Sequence, residues 1–255
     1  MSKLFDLTSK VAVIVGASSG IGVQVAKALA NEGANVAILA RRYDKLKDVA
    51  KEIETLGVKA LPVKCDVTSE EEVKNAVNSI IKEYGKIDIL FNNAGVASMA
   101  DVDSLDENEW NRVMDTNVKG IFLMTKYVVP YMKNNHYGKI INTSSVMSSV
   151  AAKAAPLHAY EASKSAVLGL TRGMASSWAQ YGITVNAICP GLFKTEMTEH
   201  TLFEESFLMR YNAVCPASRP GKEGELNGAV IYFASDASNY TTGQALFVDG
   251  GWTSV

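Results

Sequence analysis

Tyr160 and Lys164 are separated by Glu161, Ala162 and Ser163, a spacing that puts both side chains on one face of a helix. A free phenol, with a pKa of ~10, exchanges protons poorly at neutral pH. An ammonium group within reach stabilises the phenolate and draws that value down. The pair therefore suits general acid/base work on an alcohol or a carbonyl. The same spacing also occurs as a plain surface contact between helical turns, so the chemistry depends on what else the chain supplies.

It supplies a place for a phosphate-bearing ligand. The apolar run Val11-Ala12-Val13-Ile14-Val15 leads into Gly16-Ala17-Ser18-Ser19-Gly20-Ile21-Gly22, followed by a helical stretch from Val23 to Asn31. Glycines let the backbone turn tightly and approach a phosphate, and the helix start offers free N–H groups and a partial positive charge. Strand, glycine loop and helix stand in the order a dinucleotide site needs, although the spacing is GxxxGxG rather than GxGxxG. An acidic residue at the end of the second strand would bond the ribose hydroxyls of NAD. This chain has Ala40-Arg41-Arg42 there, and two guanidinium groups suit a 2′-phosphate. NADP(H) is the expected cofactor, with NAD(H) left open. In Cys65-Asp66-Val67, Asp66 is placed to accept a bond from the adenine amino group or to cap the following helix. In Asn92-Asn93-Ala94-Gly95, the amides can brace neighbouring loops while Ala94 and Gly95 leave room for a ribose.

Short β-branched runs recur at residues 11–15, 35–39, 61–63, 87–91, 139–142, 183–188 and 245–248, as expected of strands buried on both faces. Amphipathic stretches lie between them. Leu46, Val49, Ile53 and Leu56 form one apolar stripe, and Val73, Val77, Ile80 and Tyr84 another. The alternation predicts an α/β fold, a Rossmann-type doubly wound parallel sheet with helices on both faces, in a single domain over residues 1–255. Residues 192–216 break the rhythm. They hold Phe193, Met197, Phe203, Phe207, Met209 and Tyr211 without a strand signal. They read as a flap over a pocket at a strand's C-terminal end or as a pair of packed helices.

The totals exclude several classes. A net charge of -2 gives no electrostatic reason to expect nucleic acid or an anionic membrane. No apolar run approaches the ~20 residues that span a bilayer. The start, Met1 to Asp6, lacks a secretion signal, so the cytoplasm is the expected compartment. Cys65, Cys189 and Cys215, with His136, His158 and His200, make no metal-ligand spacing. Reduced, mostly buried thiols and no metal are expected.

Together these residues resemble the short-chain dehydrogenase/reductase family over nearly the full length. The matching pieces are Gly16-x-x-x-Gly20-x-Gly22, Asp66-Val67, Asn92-Asn93-Ala94-Gly95, Asn117, Ser145, Tyr160-x-x-x-Lys164, Pro190-Gly191 and Val248-Asp249-Gly250-Gly251. The resemblance implies a catalytic tetrad. Tyr160 exchanges the proton, Lys164 lowers its pKa and holds the nicotinamide ribose, and Ser145 bonds the substrate oxygen. Asn117 kinks its helix and connects Lys164 to solvent through water. It also places Pro190, Gly191, Leu192 and Thr195 beside the nicotinamide and phosphates, and implies a homodimer or homotetramer paired through helices near 107–132 and 157–180. Val15 and Ser19 depart from the family's usual threonine and basic residue. The spacing from Ser145 to Tyr160 is also wider than usual, which leaves Ser144 and Ser148 as rivals for the serine's role.

A narrower resemblance joins Pro190 to Thr198 and Leu170 to Met174 to gluconate 5-dehydrogenases, which interconvert gluconate and 5-ketogluconate. A sugar acid needs cations or donors in its pocket; Lys153, His158, Lys194 and Arg210 are the candidates. Met147, His158 and Phe193, with Ser145 and Tyr160, are the expected substrate contacts. The apolar neighbours keep a cyclic ketone or hydroxysteroid open as substrate. A 3-oxoacyl-carrier-protein reductase would need a basic docking patch, for which Lys119, Lys126, Lys133, Lys139 and Arg172 are candidates. A dinucleotide-binding sensor without catalysis would need the glycines but not Tyr160 and Lys164.

Overall fold

In the computed structural model, which describes residues 3–152 and 155–254, seven parallel strands form one sheet in the order β3-β2-β1-β4-β5-β6-β7. They are β1 (Val11–Val15), β2 (Asn35–Ala40), β3 (Ala60–Lys64), β4 (Ile89–Asn92), β5 (Gly138–Thr143), β6 (Ile183–Pro190) and β7 (Ala245–Val248). Each expected strand is present, with bounds shifted by a few residues at most. The helices are α1 (Gly20–Asn31), α2 (Tyr43–Glu54), α3 (Glu70–Tyr84), α4 (Glu107–Met114), α5 (Gly120–Asn134), α6 (His158–Trp178), α7 (Glu205–Val214) and α8 (Asn227–Ala234). The chain winds outward from β1 to β3, then returns to β4 on the other side. This reversal opens a crevice beyond the carboxyl ends of β1 and β4.

Alternation along β1 divides the core. Ile14 packs with Leu29, Ile38 and Phe91 on one face, and Val13 and Val15 pack with Val77, Leu90 and Met124 on the other. Helices cover both faces, so β1 at the centre of the sheet is apolar throughout. The two expected stripes face this core except at their ends. Leu56 lies beyond α2 and is exposed, because the helix stops at Glu54 before its register can bring Leu56 inward. Tyr84 is half-buried and donates its hydroxyl to the Val36 carbonyl at 3.1 Å. A buried polar chain crosses the apolar sheet. Asn92 donates to Asn142 at 2.9 Å, and Asn142 donates to Thr171 of α6 at 3.0 Å.

The long helix expected over 107–132 is interrupted. Residues Asp115–Lys119 form a π-helical turn between α4 and α5, which places an extra residue, and Asn117 with it, at the inner surface. The segment after β6 combines turns with one packed helix. Residues 194–204 are turns, but α7 is held down by Leu192, Tyr211 and Cys215, and Tyr211 stacks on Trp252 with ring centroids 4.8 Å apart. All three cysteines are free and buried. Among the described residues no helix is long and apolar enough to cross a membrane.

Ile14 is fully buried between α1 and the sheet. Ile14→Ala is expected to lower unfolding free energy by ~2–5 kcal/mol in a urea titration, the usual cost of a large-to-small core change.

Candidate active site

A cleft of about 480 Å³ opens at the carboxyl ends of the strands. The glycine loop forms one wall. Gly16 has φ +78, and a side chain there would bring a Cβ within 2.8 Å of Ala94. Only glycine allows the β1 and β4 loops to pack this closely. Ser19 occupies the N-cap position of α1 but makes no side-chain bond back to the helix. The first turn thus keeps uncapped N–H groups beside the cleft, as an anion site requires.

Asp66 and Val67 also line the cleft. Asp66 is not the helix cap: its carboxylate accepts from the Thr68 N–H at 3.0 Å and hydroxyl at 2.8 Å, while Ser69 caps α3 through the Glu72 N–H. The tight turn at Asp66 leaves the capping position three residues further on. Asn93 braces the loops as expected, donating to the Gly16 carbonyl at 3.4 Å and accepting from Thr143 at 3.4 Å. Arg42 lies at the rim, with bonds to Ser18 and Ser19, while Arg41 also borders the cleft.

At the other end stand Ser145, Tyr160 and Lys164. Ser145 caps a short 3-10 turn and accepts from the Met147 N–H at 3.2 Å. Its rivals are committed elsewhere: Ser144 donates to the Lys164 carbonyl at 2.8 Å, and Ser148 donates to the Ser145 carbonyl at 2.6 Å. Lys164 is buried, donates to the Thr143 carbonyl at 2.8 Å, and lies 5.5 Å from the centre of the Tyr160 ring. Asn117 is fully buried. Its carbonyl oxygen accepts from the Val96 N–H, and its amide donates to the Val96 carbonyl and to Ser163, each at 2.9 Å. A methyl built on Gly95 would sit 3.5 Å from both the Asn117 oxygen and the Lys164 nitrogen. The loop after β4 therefore lies directly over these two side chains.

The electrostatics depart from the sequence expectation. Burial pushes the Tyr160 phenol above its ordinary value, while the Ser145 hydroxyl beside it pulls the other way. Lys164 does not reverse this, because its ammonium is turned to Thr143 and is itself drawn down to about 8 by burial.

Phe193 does border the cleft, with its ring packed against Gly221 and the core. Several expected contacts lie elsewhere. Leu192 packs with Tyr211 and Cys215 rather than lining the cleft. Met147 and His158 are outside the cleft lining; the His158 Nδ1 accepts from the Val102 N–H at 3.1 Å. Lys194 pairs with Glu199, and Lys153 lies outside the described residues. The proposed docking patch is broken: Lys139 is buried and bonds Asn239, and Lys126 pairs with Glu70. Sequence reasoning missed Glu196 and Lys45. Glu196 accepts from Arg42 and from Lys45, each at 2.7 Å. Its position one residue after Thr195 was the available signal.

A seven-stranded doubly wound sheet with a glycine loop at one end of its cleft and a tyrosine–lysine pair at the other defines a nicotinamide-dependent oxidoreductase. Residues 16–253 match the family model described as enoyl-(acyl carrier protein) reductase. Gluconate 5-dehydrogenase of Gluconobacter oxydans is 39% identical over 250 residues, 98% of this chain and 97% of that protein. A 3-oxoacyl-[acyl-carrier-protein] reductase of Thermotoga maritima is 38% identical over 247 residues, 96% of this chain and 98% of that protein. The crystal structure of a gluconate 5-dehydrogenase from Burkholderia cenocepacia in complex with NADP and tartrate superposes with a TM-score of 0.95 at 37% identity, covering 99% of this chain and 98% of that one. The chain belongs to the short-chain dehydrogenase/reductase family, and with it to the NAD(P)-dependent oxidoreductases.

Burial draws both Lys139 and Lys164 down to about 8 from an ordinary 10.5. Their charge therefore falls as pH rises through about 8. NMR titration of lysine-labelled, cofactor-free protein is expected to show two early transitions, one lost in Lys164→Met and the other in Lys139→Met.

Proposed function

We propose that the protein is an NADP(H)-dependent oxidoreductase that interconverts a secondary alcohol and a ketone, with a sugar acid of the gluconate/5-ketogluconate kind as substrate. The juxtaposition of Ser145, Tyr160 and Lys164 in the cleft that begins at the glycine loop carries this reading. The likeness to gluconate 5-dehydrogenases supports the substrate class.

A bound nicotinamide supplies or accepts the hydride. Tyr160 delivers its phenolic proton to the carbonyl oxygen in reduction and takes it back in oxidation. The Ser145 oxygen already accepts from the Met147 N–H, which leaves its own proton to donate to the substrate oxygen. Lys164 keeps a positive charge near the ring and favours the phenolate as it forms. Asn117 holds the Val96 loop and α6 in register through Ser163. It is the residue we place on the proton path from Lys164 to solvent. Gly16, Gly20 and Gly22 shape the phosphate loop, and Arg41 and Arg42 face the 2′-phosphate. Asp66 and Val67 hold the adenine, and Asn93, Ala94 and Gly95 lie along the ribose. Pro190, Gly191 and Thr195 border the nicotinamide half.

The carrier-protein reading loses support from the burial of Lys139. We infer further that the protein works in the cytoplasm as a homodimer or homotetramer. Phe122 on α5 is half exposed, and Gly169 and Gly173 on α6 have open space above them, features that suit helix pairing between copies.

Tyr160→Phe is expected to keep NADPH affinity within ~2-fold, by fluorescence titration, while kcat falls ~10²–10⁴-fold, the scale of a lost general acid. Retained turnover would end the mechanism. NADPH oxidation with 5-ketogluconate, an apolar cyclic ketone and a 3-oxoacyl thioester side by side tests the substrate class. The sugar acid should lead in kcat/KM by ~10-fold or more; turnover of the apolar ketone alone would remove the sugar-acid assignment.

A further inference from the structure

The rim of the cleft carries an anion site that already holds an anion belonging to the chain. Arg42 extends from the end of β2, and its guanidinium donates to Ser18 at 2.9 Å and to Ser19 at 2.9 Å. The same nitrogen donates to one Glu196 oxygen at 2.7 Å, and Lys45, in the first turn of α2, donates to the other at 2.7 Å. The two serine oxygens accept from Arg42, so their own protons are free to point at an anion, and the Ser19 hydroxyl also helps hold the Glu196 carboxylate. One carboxylate with a cation on each oxygen resembles the way two phosphate oxygens would be met. These cations and Ser19 hold Glu196 down at about 2, so the carboxylate is fully charged at neutral pH.

Glu196 belongs to the turn segment after β6, which crosses above the glycine loop. A Cβ on Gly20 would lie 3.2 Å from the Thr195 methyl. The three charged side chains are each about half exposed, and exposed ion pairs contribute little to folding. Stability therefore does not account for the cluster. A ligand phosphate is a stronger competitor than a carboxylate, because it carries up to twice the charge and more acceptor oxygens.

We propose that Glu196 is a cofactor-discriminating residue: its carboxylate stands in for the 2′-phosphate on Arg42 and Lys45, so NADP(H) must displace it whereas NAD(H) leaves it in place. This rests on the reading that Arg42 meets the 2′-phosphate. Glu196 weakens NADP(H) binding by the strength of the contacts it gives up. NAD(H) binding leaves the pairs intact and its affinity nearly unaffected, so the preference between the two cofactors narrows. Displacement further detaches Thr195 and its neighbours from the rim, so the 2′-phosphate and the segment above the cleft are coupled.

The test uses binding alone, with 2′,5′-ADP and 5′-AMP titrated calorimetrically against the full-length protein, Glu196→Gln and Arg42→Ala. Glu196→Gln, near-isosteric and on an exposed turn, should tighten 2′,5′-ADP about 5-fold, the scale of an exposed ion pair, and leave 5′-AMP within about 2-fold. The gain should vanish when Glu196→Gln is made in the Arg42→Ala/Lys45→Ala background. Unchanged or weaker 2′,5′-ADP binding in Glu196→Gln, or equal shifts for both nucleotides, would overturn the proposal. Arg42→Ala separates this from the underlying cofactor reading: if it leaves 2′,5′-ADP binding unchanged, the 2′-phosphate assignment fails whatever Glu196 does.

Discussion

Two reciprocal hydrogen bonds tie the end of β5 to the start of α6, and the Tyr160 end of the cleft depends on them. Lys164 donates its ammonium proton to the Thr143 carbonyl, and Ser144 donates its hydroxyl to the Lys164 carbonyl. A buried ammonium without such a partner is costly. Its position relative to the strand is thereby set. Ser145 follows on one side of this junction and Tyr160 lies one helical turn away on the other. The serine, the phenol and the ammonium are then held at one spacing by backbone atoms, whatever the loop between them does.

The π-helical turn at Asp115–Lys119 supplies the second fixed point. A regular α-helix would continue from Glu107 into α5 and present a different face inward. The extra residue brings Asn117 against the Val96 backbone, where both ends of its amide are used. Asn117 acts as a clamp. It closes the β4 loop over Lys164 and links that loop to α6 through Ser163.

Much of this could be read from residue order. Strands buried on both faces announce themselves as Val/Ile runs, and a glycine loop between strand and helix needs no tertiary information to be seen. Tyr160 and Lys164 lie on one helix, so their mutual placement is local. What failed was non-local. Leu192 looked like a pocket residue because it follows β6, yet it packs with Tyr211 and Cys215 instead. His158 is two residues from Tyr160 but points to Val102 on another loop. Asp66 resembled a helix cap until its turn with Thr68 moved the helix start to Ser69. The phenol's proton affinity was misjudged for the same reason. It depends on which carbonyl Lys164 finds, and that partner sits on a separate strand.

The polar chain from Asn92 through Asn142 to Thr171 has a consequence for folding. Apolar parallel strands such as β4 and β5 bury themselves about equally well in several registers, since Val, Ile and Leu are nearly interchangeable there. Asn92 lies opposite Asn142 in only one of them. A slip by one residue would turn each amide toward the wrong face and strand it in hydrocarbon without a partner. The three residues thus add little to the depth of the native state but raise the energy of its near neighbours. They act as an alignment key that lets a uniformly greasy sheet assemble in one way.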